Sequence, residues 1–253
     1  MAKKRQVPRP PVQAPKRRED PRSRPTLPQL PVWAWATGAA GLLAIVAVIV
    51  FLTTRGGSSL PLEPTSTLGA LTSAPSPGQD GPESVPIPKA KALAPAAALT
   101  LGESVDGINC EPIEQLAYHI HAHLTIFVDG SQRLIPYGIG IAPPRQGTKT
   151  SAGFFVGSGS CFAWLHTHAS DGVIHIESPS HKTYTLGDFF DIWHEPLGLD
   201  RVGPATGHVT AFYDGKYYTA DPRTIPLRPH AQIQLDVGKP LIAPEHISFP
   251  NGL

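Results

Sequence analysis

Histidine residues in this sequence are spaced in a way that favours metal binding. Residues 119–123 alternate three histidines with apolar residues, and residues 161–177 hold three more histidines and two carboxylates. Alternate residues of a β-strand point to the same face, about 6.6 Å apart, so their side chains can converge on one ion. Imidazole nitrogens and carboxylates bind zinc, and copper(II) also accepts imidazole ligands. The predicted metal ligands are His121, His123, His166, His168, His175 and Glu177.

Three functions are compatible with this set of ligands. The leading hypothesis is a transition-metal-binding protein for the sensing, buffering or delivery of zinc or copper(II). A metal-dependent enzyme, such as a hydrolase, lyase or cupin-like protein, would use an open coordination position and Glu177 or Asp171 as proton carrier. The segment His166-Thr-His168 is similar to the first cupin motif, but no glutamate follows at the expected spacing. In the third hypothesis, the histidines are polar residues on the solvated face of an interaction module.

Sulfur ligands are scarce in the sequence. Met1 is the only methionine, which excludes the His/Cys/Met form of a blue-copper site. The two cysteines, Cys110 and Cys161, form an even count in a domain predicted to lie outside the cytoplasm, and this indicates a disulfide. Such a bridge would bring together the segments that lead into His121 and His166. Two unpaired thiols and a thiolate metal ligand remain the alternatives.

Period-two patterns place the histidines on β-strands. In Tyr118–Val128, apolar residues such as Ile120 alternate with the histidines, which predicts a strand with one face in the core. Asp129 and Gly130 then favour a tight hairpin turn. The sequence predicts a mainly β fold, either a small β-sandwich or barrel-like domain or an α+β domain with one short helix. Further strands are predicted at 134–141, 162–168, 173–177, 208–213, 216–220 and 231–237, a loop at 142–160, and a helix from Thr185 to Trp193.

A weak internal repeat supports the hairpin prediction. Residues 123–130 and 208–215 are identical at five of eight positions, and both segments end in Asp-Gly. Two related hairpins in one β-rich domain would explain this similarity. The alternative is chance, because any two strands that end in an Asp-Gly turn look alike.

The N-terminal part differs in composition from the histidine-containing region. Residues 1–31 hold nine Lys/Arg, two acidic residues and eight prolines, which predicts a disordered basic tail. Residues 32–54 are uncharged and mainly apolar, long enough to cross a bilayer as a helix. Residues 55–98 are rich in Pro, Ala, Gly and Ser and are predicted to be a linker. Residues 99–253 form the predicted domain.

This organisation predicts a single-pass protein of the cell membrane. The basic residues before the apolar span place the N-terminus in the cytoplasm and the histidine-rich domain outside it. A cleaved signal peptide is the alternative, but the span lacks a clear A-x-A cleavage site. Residues 1–31 carry a net charge of about +7 and the remainder about −6, an asymmetry that favours anionic lipid over nucleic acid. The expected partners are the lipid bilayer and a metal ion.

Four segments resemble those of a family of membrane-anchored bacterial envelope proteins that has no established activity. They are HIHAHLTIFVDG, LHTHASDGVIHIESP, TLGDFFDIW and IPLRPHAQIQLDVG, and the similarity covers roughly residues 105–253. The resemblance implies a bacterial envelope location but no particular reaction. It also implies that one site contains His121, His123, His166, His168, His175 and Glu177.

Overall fold

The computed structural model describes residues 59–253, and Ser59–Leu253 form one compact unit. The predicted basic tail at 1–31 and the predicted transmembrane helix at 32–54 lie outside the described residues. Within residues 59–253, no helix is long and apolar enough to span a membrane. The unit is mainly β with one short α-helix, and this part of the predicted fold class is confirmed.

Residues 59–253 contain twenty strands, one α-helix, α1 (Leu186–Trp193), and two short 3-10 helices, Thr65–Leu68 and Pro222–Thr224. The strands in chain order are β1 (Leu62–Glu63), β2 (Gln79–Asp80), β3 (Pro86–Ile87), β4 (Ser104–Val105), β5 (Ile108–Glu111), β6 (Tyr118–Val128), β7 (Ser131–Arg133), β8 (Gln146–Thr150), β9 (Gly153–Ser158), β10 (Phe162–Ala163), β11 (Leu165–His166), β12 (Val173–Ser178), β13 (Tyr184–Thr185), β14 (Leu197–Gly198), β15 (Arg201–Val202), β16 (Ala205–Thr206), β17 (Val209–Tyr213), β18 (Lys216–Tyr218), β19 (Pro226–Leu227) and β20 (Gln232–Val237).

Eight of these strands form one mixed sheet, in the order β1-β18-β17-β20-β6-β12-β11, with β7 paired to the end of β6. Strand β6 is the longest. It lies parallel to β20 on one side and antiparallel to β12 on the other. The remaining strands form five smaller sheets. The two predicted histidine strands therefore lie in the same sheet, with β12 between them.

One face of this sheet packs in the main apolar core. The core side chains of β6 and β12 alternate along each strand, as period two requires, and include Ala122, Leu124, Ile174 and Ile176. Helix α1 contributes six buried residues, among them Trp193, to the same part of the molecule. The predicted core face of β6 is therefore confirmed, and the histidines lie on the opposite face.

A capping box begins helix α1 at the predicted position. The Thr185 hydroxyl accepts a hydrogen bond from the backbone N–H of Asp188, and the Asp188 carboxylate accepts one from the backbone N–H of Thr185. These two bonds satisfy free N–H groups at the start of the helix. Aspartate therefore takes the role that glutamate or glutamine usually has at this position.

The two Asp-Gly hairpins of the internal repeat are both present. Asp129 and Gly130 connect β6 to β7, and Asp214 and Gly215 connect β17 to β18. All four residues have positive φ angles between 47° and 75°. A two-residue turn with two positive φ angles matches the twist of the paired strands, which explains the Asp-Gly pairs.

The predicted linker belongs largely to the compact unit, which begins at Ser59 and not at residue 99. Strand β1 pairs with β18, and Val85 is fully buried. Leu93 hydrogen bonds through its backbone to Leu134, and the indole of Trp193 donates to the carbonyl of Pro95. A Pro- and Gly-rich segment without apolar periodicity can still pack when single side chains and backbone groups find partners on an existing sheet.

Two local predictions between β6 and β10 are wrong. Residues 134–141 do not continue as a strand, because Gly138 and Gly140 have positive φ angles of 82° and 70° and turn the chain. Residues 142–160 are not a loop throughout, since β8 and β9 form a hairpin there. This hairpin is mostly exposed on β8 and has no apolar alternation from which the sequence could have predicted it.

Candidate metal centre

Strand β12 positions the centre of the histidine cluster. In the sheet register, His175 lies opposite His121 of β6 on one side and opposite His166 of β11 on the other. Glu177 lies opposite His119 one step along the same face. Because side chains directly opposite on neighbouring antiparallel strands approach to about 5 Å, this register gathers the imidazoles into one cluster.

His166 and His168 form the best-defined pair of candidate ligands. The Nδ1 atom of His166 lies 2.8 Å from the carbonyl oxygen of Ala163, and Nδ1 of His168 contacts the carbonyl oxygen of Val156. A carbonyl oxygen only accepts hydrogen bonds, so both Nδ1 atoms carry the proton. The two Nε2 atoms face each other at 3.0 Å, and in neutral rings both present lone pairs. Two lone pairs at this distance repel unless a cation or a proton lies between them.

His175 and Glu177 lie beside this pair. The Nδ1 atom of His175 lies 3.4 Å from Glu177 Oε1, and Glu177 Oε2 lies 3.9 Å from His166 Nε2. One ligand atom from each of His166, His168, His175 and Glu177 lies within 4.8 Å of the other three, and all four residues are buried. Three nitrogens and one carboxylate oxygen are a set that zinc and copper(II) both accept.

A second group lies on the other side of His175. The Nε2 atoms of His119 and His121 are 3.0 Å apart, and both residues have a ligand atom within 4.8 Å of one on His175. His119 Nε2 also lies 3.2 Å from Glu177 Oε1. The His119 side chain is 38% exposed, whereas His121 is buried, so the second group opens towards solvent.

Burial keeps most of these imidazoles neutral. It lowers the pKa of His121 to about 3 and, together with His168 and His175, lowers the pKa of His166 well below its usual value. Burial and the neighbouring His175 also lower the pKa of His168. Neutral imidazole is the form that binds a metal ion, so these three residues are available as ligands without losing a proton.

His175 differs from the other imidazoles. Burial opposes its charge, but Glu177 and Glu83 outweigh this effect and raise the pKa of His175 to about 9. The Nε2 atom of His175 lies 2.7 Å from Glu83 Oε1, and Glu83 is 4% exposed. In the metal-free protein, protonated His175 therefore pairs with the Glu83 carboxylate, and a metal ion that binds His175 must displace a proton from it.

Buried carboxylate oxygens around the cluster lack partners. Glu177 Oε2, Glu83 Oε2 and Asp171 Oδ2 accept no hydrogen bond from any group in the described part of the chain. Burial and the neighbouring Glu83 raise the pKa of Asp171 well above its usual value. A buried acceptor without a partner is costly, and a bound cation is one of the few species that relieves the cost at Glu177.

His123 does not join the cluster, in contrast to the sequence prediction. Its Nε2 atom lies 2.8 Å from the carbonyl oxygen of Asp171 and therefore donates a hydrogen bond to it. His123 is opposite Val173 in the register, beyond the end of β11, and lines a different cavity of about 580 Å³. The structure thus gathers five of the six predicted ligands and separates His123 from them.

Three site residues were not among the predicted ligands. Glu83 comes from the predicted linker, and Glu114, whose Oε1 atom lies 3.5 Å from His168 Nε2, comes from the irregular segment before β6. Neither has a sequence pattern around it that could have identified it. His119 is the exception, since its period-two spacing from His121 is the same signal that identified His121 itself.

The predicted disulfide is present. Cys110 and Cys161 are bonded, with their Cα atoms 5.4 Å apart, and neither serves as a thiolate ligand. Cys110 pairs with Ala163 in the register of β5 and β10. The bridge thus joins the segment that leads into His166 to the segment that precedes Glu114 and β6.

A cavity of about 560 Å³ lies next to the cluster. Its walls include His119, His121, His168 and His175, together with residues 82–84 and 250–253. These four imidazoles are therefore reachable by a small ligand or ion although most of them are buried.

Comparison of the chain with known protein families, with curated proteins and with solved structures yields no match.

Proposed function

We propose that this protein binds a divalent transition-metal ion, zinc or copper(II), at the cluster formed by His166, His168, His175 and Glu177. One observation carries the proposal. The Nδ1 atoms of His166 and His168 are both committed to carbonyl oxygens, and their Nε2 lone pairs face each other at 3.0 Å. Ligand nitrogens around a tetrahedral zinc ion are roughly 3.3 Å apart, so an ion fits this pair with little movement.

Hydrogen bonds from the protein orient these ligands. Backbone carbonyl groups hold the rings of His166 and His168, and the Glu83 carboxylate holds the ring of His175. A partner on the second ring nitrogen fixes the tautomer of a metal-binding histidine and increases its basicity. All three imidazoles are thus oriented by partners that come from outside their own strands.

We further propose that the metal-binding unit is held at the outer side of a bacterial membrane by the apolar stretch at 32–54. The charge asymmetry of the sequence, its uncharged span and the disulfide support this location, because disulfides persist in oxidising compartments. In that position the protein would sense, buffer or deliver the metal ion.

Equilibrium dialysis of the full-length chain in detergent, against zinc(II) and separately against copper(II), tests the binding proposal. After dialysis, elemental analysis counts the ions per chain. The wild type is expected to retain at least one ion, and the His166→Ala/His168→Ala variant to retain at least one fewer. The matched control is His208→Ala/His246→Ala, which removes two exposed histidines and should bind as the wild type does. A wild type without metal, or a site variant that binds equally well, would refute the proposal.

The cavity beside the cluster favours a second candidate function, that of a metal-dependent enzyme. An open coordination position facing about 560 Å³ of space would let a small substrate or water reach the ion. Azide added to the copper(II)-loaded chain tests this idea. A new charge-transfer absorption band would show an open position, and an unchanged spectrum would exclude one of this kind.

A further inference from the structure

The cluster contains more ligands than one ion can use. Six residues, five histidines and Glu177, supply ligand atoms to two overlapping groups, each within 4.8 Å. Zinc takes four ligands in structural sites, and copper(II) prefers four in a plane. After one ion is bound by His166, His168, His175 and Glu177, the pair His119 and His121 is left over.

This leftover pair resembles the first in the spacing of its ring nitrogens. Its two Nε2 atoms are 3.0 Å apart, the same separation as in the His166–His168 pair. Within each pair, the two histidines are two residues apart in sequence and their rings meet edge to face. The two pairs stand on either side of His175, since His121 and His166 are its neighbours on β6 and β11.

Glu177 lies between the two pairs and turns one oxygen towards each. Its Oε1 atom lies 3.2 Å from His119 Nε2, and its Oε2 atom lies 3.9 Å from His166 Nε2. Oε2 is buried and has no hydrogen-bond partner in residues 59–253. A carboxylate with its oxygens directed at two separate ligand pairs is placed to bridge two ions, which in such sites are about 3.5–4 Å apart.

The charges around the cluster are compatible with two ions. Three carboxylates, those of Glu83, Glu114 and Glu177, contact the histidines. One divalent ion neutralises only two of these charges, and the buried side chains of Glu83 and Glu177 are costly to leave unpaired. With three carboxylates and neutral histidines, one divalent ion leaves the cluster with a net charge of about −1, and two ions leave it with about +1.

We infer that the protein holds a dinuclear metal centre, with Glu177 as the bridge. His166, His168 and His175 bind the first ion, and His119 and His121 bind the second, which faces the cavity and is the more exposed of the two. This inference rests on the proposed metal binding and specifies its stoichiometry and geometry. It predicts an exchangeable outer ion and a more strongly held inner ion.

Equilibrium dialysis of the full-length chain against excess zinc(II), followed by elemental analysis of the protein and buffer compartments, tests the number of ions. Two ions per chain are expected for the wild type and for the His208→Ala/His246→Ala control, and one for His119→Ala/His121→Ala. One ion in the wild type, lost in His166→Ala/His168→Ala, would overturn the dinuclear centre but leave the proposed function intact. No ion in the wild type would overturn both.

Electron paramagnetic resonance of the copper(II)-loaded wild type tests the bridge without any substitution. Two bridged copper(II) ions couple magnetically, so the spin count is expected to fall well below the copper content measured in the same sample. A spin count equal to two bound copper ions would overturn the bridge. The Glu177→Gln variant should weaken the coupling. The His119→Gln variant, at a position where the side chain is 38% exposed, should lose the outer ion alone.

Discussion

The proton on His175 makes the metal affinity of the cluster depend on pH. His175 has a pKa of about 9, so its imidazole is protonated at pH 7, whereas the lowered pKa values of His121, His166 and His168 leave those rings neutral. A metal ion must displace the His175 proton before it can bind there. At pH 7 this competition weakens the apparent affinity by about 100-fold, equivalent to about 3 kcal/mol.

The measured dissociation constant should therefore fall about tenfold between pH 7 and pH 8 and change little above pH 9. Calorimetric titration with zinc(II) at pH 7, in buffers of different ionisation enthalpy, should show the release of about one proton from His175. The variant Glu83→Gln removes a charge that raises the His175 pKa but keeps a hydrogen-bonding side chain. It should reduce both the pH dependence and the number of protons released.

Two results would refute this reasoning. The first is an affinity that is constant between pH 7 and pH 8 with no proton released, since His175 would then be neutral or would not bind the ion. The second is a Glu83→Gln variant with the same pH dependence as the wild type. A general loss of affinity in this variant, without a change of slope, would mean that Glu83 only orients the ring.

Three further predictions concern stability, each measured by urea unfolding of the metal-free protein. Burial lowers the pKa of His123 to about 4, so below pH 6.5 the unfolded chain takes up a proton that the folded chain excludes. The His123 contribution to the free energy of unfolding should therefore fall by about 2 kcal/mol between pH 7 and pH 5. The loss of stability over this pH range should be smaller in the His123→Gln variant. The Cys110→Ala/Cys161→Ala variant should lose about 4 kcal/mol, because the bridge closes a loop with a sequence separation of 51; an unchanged midpoint would contradict this. A chain that begins at residue 99 lacks the buried side chains of Val85 and Leu93. Its free energy of unfolding should be at least about 3 kcal/mol lower than that of a chain that begins at residue 59. Equal stability would show that residues 59–98 only lie on the surface.

Alternation along the strands was the part of the site that the sequence could predict. Period two assigned His121 to one face of β6 and His175 with Glu177 to one face of β12, and the structure has these faces. The Asp-Gly turns and the capping box at Thr185 were predictable for the same reason, since each depends on a few neighbouring residues. Each of these features depends on a short sequence pattern, whereas the turn at Gly138 and Gly140 and the hairpin of β8 and β9 have no such pattern.

Long-range contacts were not predictable in this way. His123 lies opposite Val173 at the start of β12, and its ring donates to the carbonyl oxygen of Asp171 in the segment between β11 and β12. Glu83 reaches His175 from 92 residues away, and Glu114 reaches His168 from an irregular segment. Such contacts depend on how the chain folds over the sheet, and no spacing pattern in the sequence predicts them.

The packing of residues 59–98 was not predictable from the sequence, for a related reason. Val85 is buried and Glu83 nearly so, although prolines, glycines and exposed residues surround them. A segment that adds one or two side chains to an existing core needs no periodic pattern of its own. Its composition resembles that of a flexible linker, and the two cases differ only in what lies beneath the segment.

Anomalous diffraction at the zinc absorption edge, from crystals of the zinc-loaded full-length chain, tests the central claim most directly. The claim is that the paired Nε2 atoms of His166 and His168 bind a metal ion. We predict an anomalous peak about 2.0–2.1 Å from both atoms. Zinc found only at exposed histidines such as His208 and His246, with no peak between His166 and His168, would contradict it.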